Sequence, residues 1–387
     1  MFPSRAMTVL GGDSFRDEYS LAFDGSNDYL NCGGFNVGTS DFTIAMWVKF
    51  PQNASDNRDN TYNYLMGSWT NDENYWYLRT DANSKLHFFD RISDSNVIHH
   101  IGSATIGIDA WYHLVFTRDR STPLTQMYVN GAFDSTDNNS DAGASLAFNN
   151  FAINRGAAAF TSYGEGSSEE NYYSDVTVYN KALSASEVAT IYNGREPYNH
   201  KEGIASGNLQ AWWRMGDGRF DGLQDVQGLI SDEAVTPTLS TQIIADGGFG
   251  TAVGESTTGT YWITEAGWTI SGGSATYDGG GDSNTQLESI TNSDLEDGVV
   301  HQVNFTLTDT GGGGVYVRIC GGSFALVTGT GEKTVYLLAG TGTNRLTFET
   351  GHDYKAFTID DVSVYKTNGN PGVMVNMAAE DFVGDTP

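Results

Sequence analysis

Phe42-Thr-Ile-Ala-Met-Trp-Val-Lys-Phe50 is the stretch that decides the fold class. Phe42, Ile44, Met46, Val48 and Phe50 fall on one face of an extended chain, with Thr43, Ala45, Trp47 and Lys49 on the other. This is the period-two pattern of a strand resting one face on a core. Tyr112, Leu114 and Phe116 repeat it, and Val176 and Val178 make a further short strand. Met127 and Val129 run into Asn130-Gly131, a dipeptide suited to a two-residue hairpin because both central positions need φ > 0. Polar loops such as 53–63 and 134–143 separate these segments. Strands at this spacing, with no helices between them, predict an all-β chain of antiparallel jelly-roll sandwiches.

One helix is expected, near 184–193. Ser184-Ala-Ser-Glu187 is a capping box, Val188, Ile191 and Tyr192 form an apolar stripe, and Asn193-Gly194 ends it. Beyond it, Leu209–Met215 is an aromatic-rich strand within a connecting segment, 196–236. Pro237 opens a second unit. There Val303, Phe305 and Leu307 alternate with polar residues, as do Val315, Val317 and Ile319, with Gly311–Gly314 read as a hairpin link. In Ala356–Tyr365 the apolar phase slips at Asp360-Asp361, which predicts a β-bulge. The expected organisation is an N-terminal arm (1–13), a first sandwich (14–195), the connecting segment, a second sandwich (237–367) and a C-terminal tail (368–387).

Composition limits the partners. The chain has 387 residues, 48 acidic against 20 basic, for a net charge of −28. A surface of that sign repels phosphate backbones and argues against nucleic acid. Two cysteines, Cys32 and Cys320, rule out a disulfide scaffold. Met1–Gly12 has no apolar core of seven residues, so no signal peptide is read there, and no run approaches transmembrane length. A soluble protein folding in a reducing cytoplasm, without membrane insertion, is expected.

Five stretches resemble, in family order, the laminin-G-like, concanavalin A-type jelly roll. They are Tyr19–Tyr29, Phe42–Val48, Trp111–Val115, Tyr128–Gly131 and Asp175–Val188. Ala245-Asp-Gly-Gly-Phe249, Gly267-Trp268 and Ile359-Asp-Asp-Val-Ser-Val364 resemble a carbohydrate-binding jelly roll. Leu209–Gly218 and the tail Asn370–Met377 with Asp385-Thr-Pro387 look like two halves of one motif of laminin-G-type structural proteins of tailed, especially marine, phages. That resemblance implies that 237–367 is an insertion and that the tail returns to the strand at 209–215.

The resemblance to concanavalin-type sandwiches raises a polysaccharide hydrolase, which needs two carboxylates on alternate positions of one strand. Glu169-Glu170 are adjacent and would face opposite ways, while Glu288 and Asp294 sit in turn-like sequence, so no enzyme is expected. Both families imply a structural calcium ion, which needs six or more loop oxygens. Asp24, Asn27 and Asp28 are one candidate set and Asp246 with Asp360 or Asp361 another, against the alternative that these residues only make turns. Trp69, Tyr75, Trp76, Tyr77 and Trp262 are candidates for stacking on sugar rings. Consecutive aromatics alternate across a strand, so at least one of residues 75–77 must point away from the core. His99-His100 and His113 lack metal spacing.

The function these resemblances imply is that of a non-enzymatic phage virion protein, a head-decoration or tail-fibre component assembled in the host cytoplasm. It would self-associate and contact other virion proteins, with glycan binding through its jelly rolls. A free bacterial carbohydrate-binding protein is the alternative.

Overall fold

In the computed structural model, residues 15–35, 41–51, 62–71, 74–92, 96–138, 148–155, 170–218, 221, 228–236, 238–251, 260–280, 284–309, 312–350, 355–375, 377 and 379–387 are described. The expected arm, 1–13, and Glu169 lie outside them. Among the described residues the chain is all-β with one α-helix. It begins with β1 (Ser20–Ala22), β2 (Tyr29–Phe35), β3 (Phe42–Lys49), β4 (Tyr62–Asn71), β5 (Asn74–Asp81), β6 (Leu86–Ile92) and β7 (Asn96–Ile101). Then come β8 (Trp111–Asp119), β9 (Leu124–Val129), β10 (Ala132–Asn138), β11 (Phe148–Ile153), β12 (Tyr172–Tyr179) and α1 (Ala185–Tyr192). The connecting segment supplies β13 (Leu209–Trp213) and β14 (Leu229–Ile230). The second unit contains β15 (Trp262–Thr264), β16 (Trp268–Ser271), β17 (Ser274–Tyr277), β18 (Gln286–Ser289) and β19 (Val300–Asp309). It continues with β20 (Val315–Ile319), β21 (Ala325–Val327), β22 (Gly331–Leu338), β23 (Leu346–Thr350) and β24 (Phe357–Lys366). The tail adds β25 (Gly372–Val375) and β26 (Phe382–Val383).

The first sandwich stacks two antiparallel sheets. One has the order β10-β9-β8-β3-β12-β1-β26, with β13 also paired to β12. The other runs β14-β25-β2-β11-β4-β5-β6-β7. Phe42, Ile44, Met46 and Val48 of β3 lie in the core between them. The opposite face of β3 is covered too. Ala45 packs with Val115, Tyr128 and Tyr179 under Val188 and Ile191 of α1, and Trp47 stacks on Tyr192 at 5.6 Å. The helix starts where its cap predicts: Ser184 Oγ accepts from Glu187 N–H, the Glu187 carboxylate accepts from Ser184 N–H, and Asn193 closes the helix in the left-handed region. Asn130 and Gly131, both at positive φ, turn β9 into β10.

The second sandwich has five strands in each sheet, β15-β18-β23-β20-β21 and β16-β17-β24-β19-β22, around its own core. The bulge falls as the phase slip predicts: β24 shifts register against β19 between Asn304 and Thr306, and Asp361 sits at φ 51°. The glycine-rich link after β19 is not a hairpin, because β19 and β20 belong to different sheets. Alternation marks strands but carries nothing about which neighbour each one chooses.

The chain leaves the first sandwich after β14 and re-enters at β25, and these two strands pair, Leu229 with Val373 and Ile230 with Gly372. The tail then pairs β25 with β2 and β26 with β1, so connecting segment and tail are strands of the first sandwich. Strand 209–213 meets the tail through Asn370, whose carbonyl accepts from Trp213 Nε1 at 2.7 Å. Asp232 gathers the junction by accepting from the backbone N–H groups of Trp212, Ala234 and Asn370. The two sandwiches meet at a small apolar cluster of Leu229 and Val373 with Val300 and Tyr336. Among the described residues no helix is long and apolar enough to cross a membrane.

Candidate functional site

α1 lies on the sheet that contains β3, so the outer face of β4–β7, on the other sheet, is the one with chemistry to offer. Cross-strand partners share a face, and the register assembles that face row by row. Trp69, Tyr75 and Arg91 form one row. Gly67, Tyr77, Phe89 and His99 form the next. Tyr64, Arg79, His87 and Ile101 follow, and then Tyr62 with Asp81. The alternate residues Trp76, Leu78 and Phe88 point into the core.

The rings on this face are ordered. Phe89 stacks between Tyr77, at 4.9 Å and 7°, and Tyr75, at 5.8 Å and 17°. Tyr64 meets Tyr77 edge-on at 5.3 Å, and Gly67 opposite Tyr77 carries no side chain to crowd the stack. The guanidinium of Arg79 lies among the tyrosines, and Arg91 stands 6.0 Å from the Tyr75 ring. His87 and His99 approach through their ring nitrogens at 3.2 Å, and His87 Nε2 is 3.1 Å from Asp81 Oδ2. Burial lowers the pKa of both imidazoles; for His99 the charge of Arg79 acts in the same direction. Desolvation also raises the Tyr77 phenol. The face thus combines parallel aromatic rings, phenolic hydroxyls, imidazoles held toward the neutral form and two guanidinium groups, a set that can stack on pyranose rings and hydrogen-bond their hydroxyls.

Of the predicted stacking residues, Trp69, Tyr75 and Tyr77 come together here. Trp76 does not: it is 1% exposed and packs between Phe88 and Phe151. Trp262 is fully buried in the second core, its Nε1 donating to the carbonyl of Asp246 at 3.0 Å. Both fill cores because the strand pleat turns them inward. Arg79, Phe89, Tyr62, Tyr64, His87 and His99 were not anticipated. Arg79 was within reach, since Tyr75, Tyr77 and Arg79 are i, i+2 and i+4 of one strand. The others depend on pairing between strands.

The candidate calcium ligands fall into two turns. Asp28 Oδ2 accepts from Asp24 N–H at 3.0 Å and Asp24 Oδ1 from Ser26 N–H at 2.7 Å. Asp28 Oδ1 is buried without a hydrogen-bond partner. Burial, joined by the charges of Asp24 and Asp381, raises the Asp28 carboxyl to about 6 against the hydrogen bond from Asp24 N–H. Asn27, at the exposed end of this turn, offers a carbonyl oxygen. In the second sandwich the loop at Asp246 adjoins the β24 bulge, Val362 N–H donating to Gly247 O at 2.8 Å. Asp246 caps its own loop by accepting from Gly250 and Thr251 N–H, and Asp360 accepts from Asp361 N–H. Asp361 is exposed. These are turn-making roles. Among the described residues no three His, Cys, Asp or Glu side chains converge as a metal site.

One other group differs from expectation. Glu288 lies on β18, not in a turn, and is bonded to Arg345 at 2.6 Å. His99 and His100 do alternate faces, His100 turning inward to Thr125 Oγ1 at 3.0 Å, while His113 is buried against Trp47.

No curated protein sequence matches this chain. Among solved structures it is similar to the heptameric SAP-like pentraxin of Limulus polyphemus, with 16% identity over 46% of this chain and 84% of that one, TM-score 0.36. It is similar also to the CBM40 of the Ruminococcus gnavus IT-sialidase bound to α2,3-sialyllactose, with 13% identity over 46% of this chain and 100% of that one, TM-score 0.32. The Trypanosoma rangeli sialidase shares 17% identity over 46% of this chain, which spans only 28% of that enzyme, TM-score 0.31. Likenesses this distant carry no functional weight. Residues 24–189, the stretch that holds the aromatic face and α1, match the family model described as the concanavalin A-like lectin/glucanases superfamily.

Proposed function

We propose that the first sandwich binds a glycan on the outer face of β4–β7 and that the protein is a binding protein without catalytic activity. The observation that carries this is the parallel stack of Tyr75, Phe89 and Tyr77 on a sheet face away from the helix. Tyr75 and Phe89 are half-buried and Tyr77 is 7% exposed; the part of this cluster that reaches solvent suits the apolar faces of pyranoses, worth about 1 kcal/mol per well-made contact. The family match over 24–189 is compatible with the same reading. The test is a glycan array with the intact chain, repeated with Tyr75→Ala and Tyr77→Ala. Binding that weakens about tenfold or more in both variants, with unchanged thermal unfolding, supports it; an empty array rejects it.

A second reading, a structural component of a tailed-phage virion, is favoured by one observation. The two motif halves at 209–218 and 370–387 meet in space, Trp213 on Asn370. Under this reading the protein self-associates and sits on the particle surface, where a glycan-binding face would contact the host or its surroundings. Proteomics of purified particles lacking the chain would overturn it and leave a free carbohydrate-binding protein. Calcium is proposed at Asp24, Asn27 and Asp28, on the strength of the unpartnered Asp28 Oδ1, and not at Asp246, Asp360 and Asp361.

A further inference from the structure

Arg79 sets a condition on what the aromatic face receives. The residue is only 7% exposed. The carbon of its guanidinium lies 3.3 Å from the centroid of the Tyr62 ring, 4.5 Å from that of Tyr77 and 5.7 Å from that of Tyr64. Nη1 donates to Tyr64 Oη at 3.2 Å, and Nε is enclosed without an acceptor. Among the described residues no carboxylate pairs with it. Asp81, the next outward residue of β5, already accepts from the N–H groups of Asn83 and Lys85, and its Oδ2 lies 3.1 Å from His87 Nε2.

A desolvated guanidinium is costly unless an anion meets it, and burial in proteins is ordinarily accompanied by such a partner. Ring faces offset part of that cost when the cation is desolvated. Here the chain carries 48 acidic residues against 20 basic, so an acid opposite Arg79 was chemically at hand, and the site instead surrounds the cation with tyrosines. Arg118, which is also buried, contrasts with it by facing Asp90 at 3.6 Å. Arg79 also sits in line with the stack. Tyr75, Tyr77 and Arg79 follow one another at two-residue steps on β5, about 13 Å from first to last, a span for an extended oligosaccharide.

We infer that this face is built for an acidic saccharide, whose sugar rings lie along Tyr75 and Tyr77 and whose carboxylate meets the terminal N–H groups of the Arg79 guanidinium. The inference rests on the glycan-binding reading above and adds the charge of the ligand. A planar guanidinium favours a carboxylate through paired N–H donors, and the phenol of Tyr64 and the imidazole of His99 are placed to bond neighbouring hydroxyls.

The experiment is calorimetric titration of the intact protein with galacturonate, glucuronate and mannuronate tetrasaccharides. Each is compared with its carboxyl-reduced, neutral counterpart and with a sulfated tetrasaccharide. At least one uronate is expected to bind more than tenfold tighter than its reduced counterpart, and Arg79→Gln to bring the two within about twofold. Arg79→Lys, which keeps the charge and loses the fork, is expected to fall between. Should Arg79→Gln fail to fold, the wild-type ratio and Arg79→Lys still decide. Equal binding of acid and reduced sugars overturns the acidic-ligand inference and leaves the glycan reading standing; binding of none overturns both. Preference for the sulfated sugar, or acid preference retained in Arg79→Gln, overturns the carboxylate assignment.

Discussion

Trp213 Nε1 donates to the carbonyl oxygen of Asn370 at 2.7 Å, across 157 residues of chain. Between the two lie all ten strands of the second sandwich. The bond therefore fastens the point where the chain departs to the point where it returns. Trp213→Phe keeps most of the buried ring and leaves the Asn370 carbonyl without this donor, a loss of about 1–3 kcal/mol. Urea unfolding is expected to show a lower midpoint with an unchanged slope. A midpoint equal to the wild type would mean that the bond contributes nothing.

Gly33 is where the second sandwich presses on the first. Its φ is +66°, and a Cβ there would come within 2.9 Å of Leu338 Cδ1 and 3.1 Å of Gly298 O. Gly33→Ala combines left-handed strain of about 1 kcal/mol with displacement of the neighbouring sandwich. Greater protease sensitivity at the junction, with both sandwich cores retained by circular dichroism, is the expected result. Wild-type resistance would show the contact to be slack.

Asp90 and Arg118 face each other between the sheets at 3.6 Å, both almost fully buried. Burial raises the Asp90 carboxyl to about 7, against the pull of Arg118. The folded state then holds a proton between pH 3.8 and 7 that the unfolded state has released, so this pair's contribution to stability falls as pH rises through that window. The full effect is roughly 4 kcal/mol at most. Asp28 and Asp217, also raised to about 6, act in the same direction, so the pair is isolated by comparison. Asp90→Asn with Arg118→Met is expected to flatten the fall in melting temperature from pH 5 to pH 8. An identical slope in wild type and double variant would assign the dependence elsewhere.

The Asp24–Asp28 turn yields a separate test. Millimolar calcium is expected to raise the melting temperature of the wild type by a few degrees and to leave Asp28→Asn unmoved. Magnesium, which demands tighter octahedral geometry, is expected to be weaker. No shift with calcium would reduce the turn to its hydrogen bonds.

Local physics was legible in the residues themselves. The alternation of Phe42–Val48, the left-handed turn at Asn130-Gly131, the Ser184–Glu187 capping box and the bulge at Asp360-Asp361 depend on neighbours a few positions apart. Period, φ requirement and cap chemistry are written there directly. Tertiary structure decided the rest. It covered the second face of β3 with α1, turned Trp76 and Trp262 into cores, put β19 and β20 in different sheets and threaded the tail beside β2 and β1. The aromatic face is of this second kind. Tyr75, Tyr77 and Arg79 share a strand, but Phe89, His99 and Tyr64 join them only through strand register, and the want of an acid beside Arg79 among the described residues is likewise a matter of which strands lie side by side. A sequence states which way each side chain alternates, whereas which strands lie side by side is settled by burial summed over the whole sandwich.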